Sequence, residues 1–176
     1  METSASGTVI WLTGLSASGK TTLAHALAAK ISESGSQVQV LDGDELRTTV
    51  NKNLGFSLSD RAEAVRRAAE LAKSVAAPGN VVLVAMVSPF ESHRENARLI
   101  LRPHRVLQVW VNTSIQVCIS RDPKGLYKRS LDGTLPDFTG IGQEYQEPTN
   151  PDLVIDGSAD LAHNVSRVLD LLEASY

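Results

Sequence analysis

Short apolar runs alternate with stretches of helical spacing along most of the chain. Thr8-Val-Ile-Trp-Leu-Thr13 is a β-branched and aromatic run that stops at a glycine, and the Ala- and Leu-rich stretch from Lys20 to Ser34 follows it with helical spacing. A strand feeding a helix is expected there. Ser36 to Leu41 alternates weakly as a second strand, and Asn80 to Met86 is a continuous apolar run of the kind found in strands buried on both faces. Arg105 to Val111 and Asp152 to Ile155 complete five candidate strands. Helical patterns lie between them at Leu58 to Ala77, Glu91 to Leu101, Ser114 to Ser120 and Ala159 to Ala174. Strands alternating with helices predict an α/β fold, a mainly parallel sheet with helices on both faces. The segment from Asp122 to Pro151 breaks the rhythm. It is rich in proline and glycine and longer than an ordinary connection, which predicts a lid or binding loop. With no internal repeat and no linker, residues 1–176 read as a single domain in which 1–7 are a polar, disordered lead and 122–147 a lid.

Composition narrows the function classes. The chain has 176 residues, 42% apolar and 21% charged, so it can bury a core, and disorder, collagen repeats and coiled coil are excluded. A net charge of −3 argues against a nucleic-acid binder held by bulk attraction, so any anionic ligand must be gripped locally. Cys118 is the only cysteine and the four histidines are dispersed, which leaves no disulfide and no cysteine-based zinc site. The longest apolar run, Val81 to Val87, is far short of the roughly 20 residues that cross a bilayer. The N-terminus lacks the basic start and apolar stretch of a signal peptide. A cytoplasmic protein without membrane or nucleic-acid partners is expected.

Gly14-Leu-Ser-Ala-Ser-Gly19-Lys20-Thr21 matches the phosphate-binding pattern G-x-x-x-x-G-K-[ST], directly after a predicted strand and opening a helix. Its glycines let successive backbone N–H groups face an anion at the helix N-terminus. Lys20 reaches the β- and γ-phosphates, and the Thr21 hydroxyl ligates Mg²⁺. ATP or GTP with Mg²⁺ is the default ligand. The candidate nucleotide-binding residues are Gly14, Leu15, Ser16, Ala17, Ser18, Gly19, Lys20, Thr21 and Thr22. Two carboxylates, Asp42 and Asp44, follow the second strand, where open α/β sheets form their ligand crevice. One can accept a proton from an attacking hydroxyl or orient metal-bound water; either can instead cap the helix that starts near Glu45. Asp42 is the candidate metal residue beside Thr21, and Asp44 the better candidate base. Arg47, Arg61, Arg66 and Arg67 cluster after the second strand, either as anion contacts or as a salt-bridged helical surface.

Several blocks together resemble the adenylyl-sulfate (APS) kinase family. They are Trp11-Leu-Thr-Gly-Leu-Ser, Leu41-Asp-Gly-Asp-Glu-Leu-Arg47, Asn51-Lys-Asn-Leu-Gly-Phe-Ser57, Ser88-Pro-Phe90, Arg121-Asp-Pro-Lys-Gly-Leu-Tyr127 and Asp137-Phe-Thr-Gly-Ile141. They occur in the family's order and span nearly the whole chain. The resemblance implies a three-layer P-loop NTPase fold of the nucleotide-kinase type, and transfer of the ATP γ-phosphoryl group to the 3′-hydroxyl of APS in sulfate assimilation. It also implies that Phe56 and Phe138 are two exposed plates sandwiching the acceptor adenine, that Arg47 and Arg61 contact the phosphosulfate, and that Lys124 and Thr139 complete the pocket. Val87 and Ser88 fall on the acceptor side, where family descriptions make the serine a phosphoserine intermediate. Direct in-line transfer needs no such covalent step. Arg121 lies by resemblance near the ATP base. A homodimer, and association with an ATP sulfurylase, are implied in the same way. The helical extension that many members carry ahead of the first strand is not expected here. The pattern departs at Ala64, where an Asn contacting APS is usual, at Glu91, where an Arg is usual, and at His93, where an Asp is typical. These changes fall on the acceptor side. They leave as alternatives a phosphotransferase acting on another nucleotide, a sugar nucleotide or a small alcohol, and a non-catalytic nucleotide-binding module.

Overall fold

A computed structural model describes residues 6–174. Its five strands are β1 (Thr8–Thr13), β2 (Val38–Asp42), β3 (Val81–Ala85), β4 (Arg105–Val111) and β5 (Leu153–Ile155). They form one sheet in the order β2-β3-β1-β4-β5, and every pairing is parallel. The helices are α1 (Lys20–Glu33), α2 (Gly43–Thr48), α3 (Leu58–Ala76), α4 (Glu91–Ile100), α5 (Ile115–Arg121), α6 (Leu126–Leu131) and α7 (Leu161–Glu173).

Period-two alternation along the central strands divides the core between the two faces of the sheet. Ile10, Leu12, Leu83 and Ala85 pack with Leu23, Leu27 and Ile31 of α1 and Val165 and Val168 of α7. Val9, Trp11, Val82 and Val84 face the other way, onto Val65, Ala68, Ala69 and Ala72 of α3 and Ala97 of α4. The result is an α/β/α sandwich. All six residues of β1 are buried, as a strand between two neighbours and two helical layers requires. Fully burying a Leu or Ile there contributes about 1.5–3 kcal/mol. The small alanines of α3 let that helix lie close to the sheet.

Three details depart from the sequence reading. Ser6 and Gly7, expected in the disordered lead, are tied down: the Ser6 hydroxyl donates to Pro103 O, and Gly7 N–H donates to His104 Nδ1. The rest of that lead, residues 1–5, lies outside the described residues. The segment expected as a lid without regular structure contains α6, and α2 stands where only a helix start was expected. Both helices have six residues, too short for periodicity to reveal.

Candidate active site

The loop from Gly14 to Gly19 joins β1 to α1 through backbone that only glycine adopts freely at two points. Gly14 has φ 153° and Gly19 has φ 107°, and a Cβ on Gly14 would meet Val111 O at 2.5 Å. Neighbouring side chains hold the loop's outward carbonyls: Thr113 donates to Ser18 O at 2.7 Å, Tyr127 to Ser16 O at 2.8 Å, and Arg121 to Ala17 O at 3.1 Å. Arg121 also donates to Gly157 O at 3.0 Å, which joins the loop to the turn between β5 and α7.

This loop forms one end of a cavity of about 670 Å³ at the C-terminal edge of the sheet. Among the anticipated site residues, Ser16, Ala17, Gly19, Lys20, Thr21, Thr22, Asp42, Asp44, Arg47, Arg61, Val87, Ser88, Arg121 and Lys124 line it. Gly14, Leu15 and Ser18 are not in the lining, and neither are Phe56, Phe138 and Thr139.

Lys20 is buried, and its ammonium donates to Gly14 O at 2.9 Å and Leu15 O at 2.7 Å. Burial pushes its pKa down to about 8, against the opposing pull of Cys118, Asp42 and Asp44. The Thr21 hydroxyl donates to Asp42 Oδ2 at 2.6 Å, and Asp42 Oδ1 accepts from Asp44 N–H at 2.9 Å, capping α2. Asp42 therefore has both oxygens engaged. A hydroxyl and a carboxylate side by side are hard oxygen donors that suit Mg²⁺, which keeps waters and takes substrate phosphates as further ligands. Among the described residues no group of three or more His, Cys, Asp or Glu forms a cage for a metal. Asp44 differs from Asp42: its side chain is 63% exposed and pairs with the lid lysine, Lys124.

At the opposite end Arg47 lies over the Phe56 ring, 4.2 Å from its centroid, and Arg61 at 5.6 Å. Burial lowers both guanidinium pKa values from the usual arginine range. Arg61 donates to Phe56 O at 3.1 Å and Asp137 O at 2.9 Å, holding the loop before α3 against the lid. The expected pair of exposed aromatic plates is only half realised. Phe56 is 43% exposed, but Phe138 is buried, edge-on to Tyr127 at 4.9 Å, in a cluster with Cys118. Tyr127 belongs to α6, the helix that periodicity does not reveal, so the apolar seat for Phe138 was hidden too. Thr139 is likewise buried.

Ser88 has φ 45° and is buried, and its hydroxyl accepts from the Trp11 indole at 2.9 Å. Trp11 is core, as expected, yet its N–H needs a partner and takes Ser88. The carbonyls of Val87 and Ser88 accept from Thr13 at 2.7 Å and Arg94 at 2.7 Å. Glu91 does not face the cavity. It pairs with buried Arg94 and accepts from Thr149 at 2.7 Å. Burial pulls its carboxyl upward, but Thr149 and Arg94 together hold it below the ordinary carboxylate value. Arg94 also donates to Gln146 O at 2.7 Å, and Tyr145 lies 2.9 Å from the Thr13 hydroxyl. His93 packs on Phe90, also away from the cavity.

Residues that the sequence reading passed over include Thr113, Tyr127, Tyr145 and two cavity-lining amides, Asn51 and Asn164, whose buried Oδ1 atoms have no hydrogen-bond partner. Asn51 and Tyr127 fell inside blocks that attracted notice, but a buried unpaired oxygen leaves no mark in sequence.

Comparison with known proteins gives a consistent picture. A family model described as adenylylsulphate kinase matches residues 6–156. The probable adenylyl-sulfate kinase of Halalkalibacterium halodurans is 50% identical over 148 residues, 84% of this chain and 71% of that protein. The adenylyl-sulfate kinase of Bacillus velezensis is 43% identical over 168 residues, 95% of this chain and 85% of that protein. The solved structure of the Mycobacterium tuberculosis APS kinase in complex with AMPPNP and APS matches with a TM-score of 0.93 at 42% identity. The match covers 96% of this chain and 99% of that one.

Proposed function

The chain belongs to the adenylylsulphate kinase family, and from that premise we infer that it transfers the γ-phosphoryl group of ATP to the 3′-hydroxyl of APS, yielding PAPS and ADP. The observation that carries this reading is one continuous cavity running from the loop residues Gly19 to Thr22, past Asp42 and Asp44, to Arg47 and Arg61. A phosphate cradle and a cationic acceptor end share it, so one cavity can bring two anionic substrates together.

In the mechanism we propose, backbone N–H groups of the loop from Gly14 to Thr22 and the Lys20 ammonium hold the ATP phosphates, with Arg121 near the base. Thr21 and Asp42 would hold Mg²⁺, which when bound supplies charge neutralisation at the phosphoryl oxygens. Asp44 accepts the proton of the attacking 3′-hydroxyl; Lys124 must leave it, or turn to the acceptor, as the substrate enters. Arg47 and Arg61 hold the phosphosulfate, because a planar guanidinium fork suits a tetrahedral oxyanion. Phe56 supplies a face for the acceptor adenine, and Phe138 and Thr139 act by shaping the lid. Val87 and Ser88 border the acceptor through their backbone. The Ser88 hydroxyl is a positioning group, since it holds the Trp11 indole. Closure of residues 122–147 over both substrates limits hydrolysis of ATP.

We further propose that the chain acts as a single kinase domain, in the cytoplasm, as a homodimer that associates with an ATP sulfurylase. Light scattering on the purified protein and co-purification with the sulfurylase test these last two points. A coupled ADP-release assay with APS and a panel of other hydroxyl acceptors tests the activity itself. APS is expected to give the highest kcat/KM; absence of turnover with APS, or preference for another acceptor, would overturn the assignment.

A further inference from the structure

The acceptor end of the cavity is lined by a residue with a polar atom that no group among the described residues satisfies. Asn51 follows α2, with its backbone N–H bonded to Leu46 O at 2.8 Å, and its side chain is almost fully enclosed at 2% exposure. It lines the cavity beside Arg61, Ala64 and Val65. Its Nδ2 donates to Ala64 O at 3.4 Å, which fixes the carboxamide, because a backbone carbonyl can only be met by the NH₂ side. Oδ1 is thereby turned away from that carbonyl and left without a partner. Ala64, which also lines the cavity, has only a methyl group and offers this oxygen no donor.

A buried acceptor without a donor is costly, and most such atoms in native proteins are paired. Asn51 lines the cavity, so the donor that its oxygen lacks can be brought by a ligand that enters there. If that is APS, as inferred above, the chemistry restricts the choice further. The phosphosulfate is fully ionised near neutrality and offers only acceptors. Donors exist only on the adenosine half, at the ribose hydroxyls and the exocyclic amine. We propose that Asn51 is a specificity-determining residue for the acceptor, its Oδ1 accepting a hydrogen bond from the 2′-hydroxyl or the exocyclic amine of APS, the 3′-hydroxyl being the group that meets Asp44. The contact favours a nucleoside over phosphorylated or sulfated acceptors that have no donor at that point.

The test is steady-state kinetics with each substrate varied in turn, on wild type, Asn51→Ala and the double variant Asn51→Ala with Ala64→Asn. Turnover of APS by the wild type is measured first and tests the underlying reading by itself. Asn51→Ala should raise KM for APS about tenfold while leaving KM for ATP within about twofold. Asn at 64 returns a carboxamide to the same space and should recover part of the loss. A merely structural Asn51 predicts instead that both KM values change together, or neither, and that Ala64→Asn recovers nothing; either result overturns the proposal. A second measurement needs no stable variant. On the wild type, APS analogues lacking the 2′-hydroxyl or the exocyclic amine are compared with APS. One of them should show KM raised about tenfold, and equal KM values for all three would refute the contact.

Discussion

Lys20 is held where folding and phosphate binding pull its proton in opposite directions. Burial lowers its pKa to about 8 in the fold, against 10.5 as its ordinary value. Between those values the unfolded chain binds more protons than the folded one, so this group's contribution to stability rises with pH from about 8 to 10.5. Below about 8 the penalty is fully present, on the order of 3 kcal/mol. The difference in unfolding free energy between wild type and Lys20→Met should therefore change by about that amount from pH 7 to 10.5, measured by urea denaturation. Nucleotide phosphates reverse the bias by favouring the charged amine. Binding of ADP at pH 8 should take up about half a proton per site, read by calorimetry in buffers of different ionisation enthalpy, and Lys20→Ala should abolish the uptake. Asp44 makes a separate prediction. Its carboxylate is exposed and paired only with the exposed Lys124, which can give way to a hydroxyl, whereas both oxygens of Asp42 are engaged within the fold. Asp44→Asn should lower kcat by about 10²–10⁴ with KM for ATP little changed. Wild-type turnover in that variant would remove Asp44 as the base.

Among the elements, the lid is the one whose behaviour follows least from the sequence and most from its attachments. Asp122 opens it by accepting from the N–H groups of Tyr127 and Lys128, so α6 is capped by a residue outside it. Its far foot is fixed by Arg94, which reaches Glu91, Ser88 O and Gln146 O at once. Removing a buried charge that satisfies three groups should destabilise the protein by about 3 kcal/mol, and Arg94→Lys should recover little because one ammonium cannot span the fork. Arg94→Ala should also raise acceptor-independent ATP hydrolysis, and amide exchange should quicken at residues 143–149. An unchanged exchange rate there would refute the anchoring role. The five strands and the helices α1, α3, α4, α5 and α7 were legible from the apolar pattern and its punctuation. The two six-residue helices were not, since their order comes from caps and tertiary seats. Phe138 misled for the same reason: its glycine-flanked setting suggests exposure, and only Tyr127 makes it interior. Glu91 misled in the opposite sense, because a reversed charge in a substrate block is here the partner of Arg94.

At the scale of the whole molecule, the strand order brings the C-terminal ends of β1, β2, β3, β4 and β5 to one edge, and the cavity lies along it. This explains how a chain of net charge −3 can take two strongly anionic substrates. In the arrangement proposed above the grip is local, built from backbone N–H groups, Lys20, Arg47 and Arg61, and bulk attraction is not needed. The motif from Gly14 to Thr21 was legible in sequence by its glycine spacing, and the structure puts most of its residues along the cavity. The acceptor end was legible only through resemblance, since its groups come from separate elements that only the fold brings together. The central claim is that both substrates occupy this one cavity and that the phosphoryl group passes to the 3′-hydroxyl of APS. Its most direct test is phosphorus NMR of the reaction with APS and with APS lacking the 3′-hydroxyl. The expected result is ADP and a 3′-phosphorylated product in equal amounts from APS, and neither from the deoxy analogue. Equal ADP formation from both acceptors, or a phosphoryl group on any other oxygen, would contradict it.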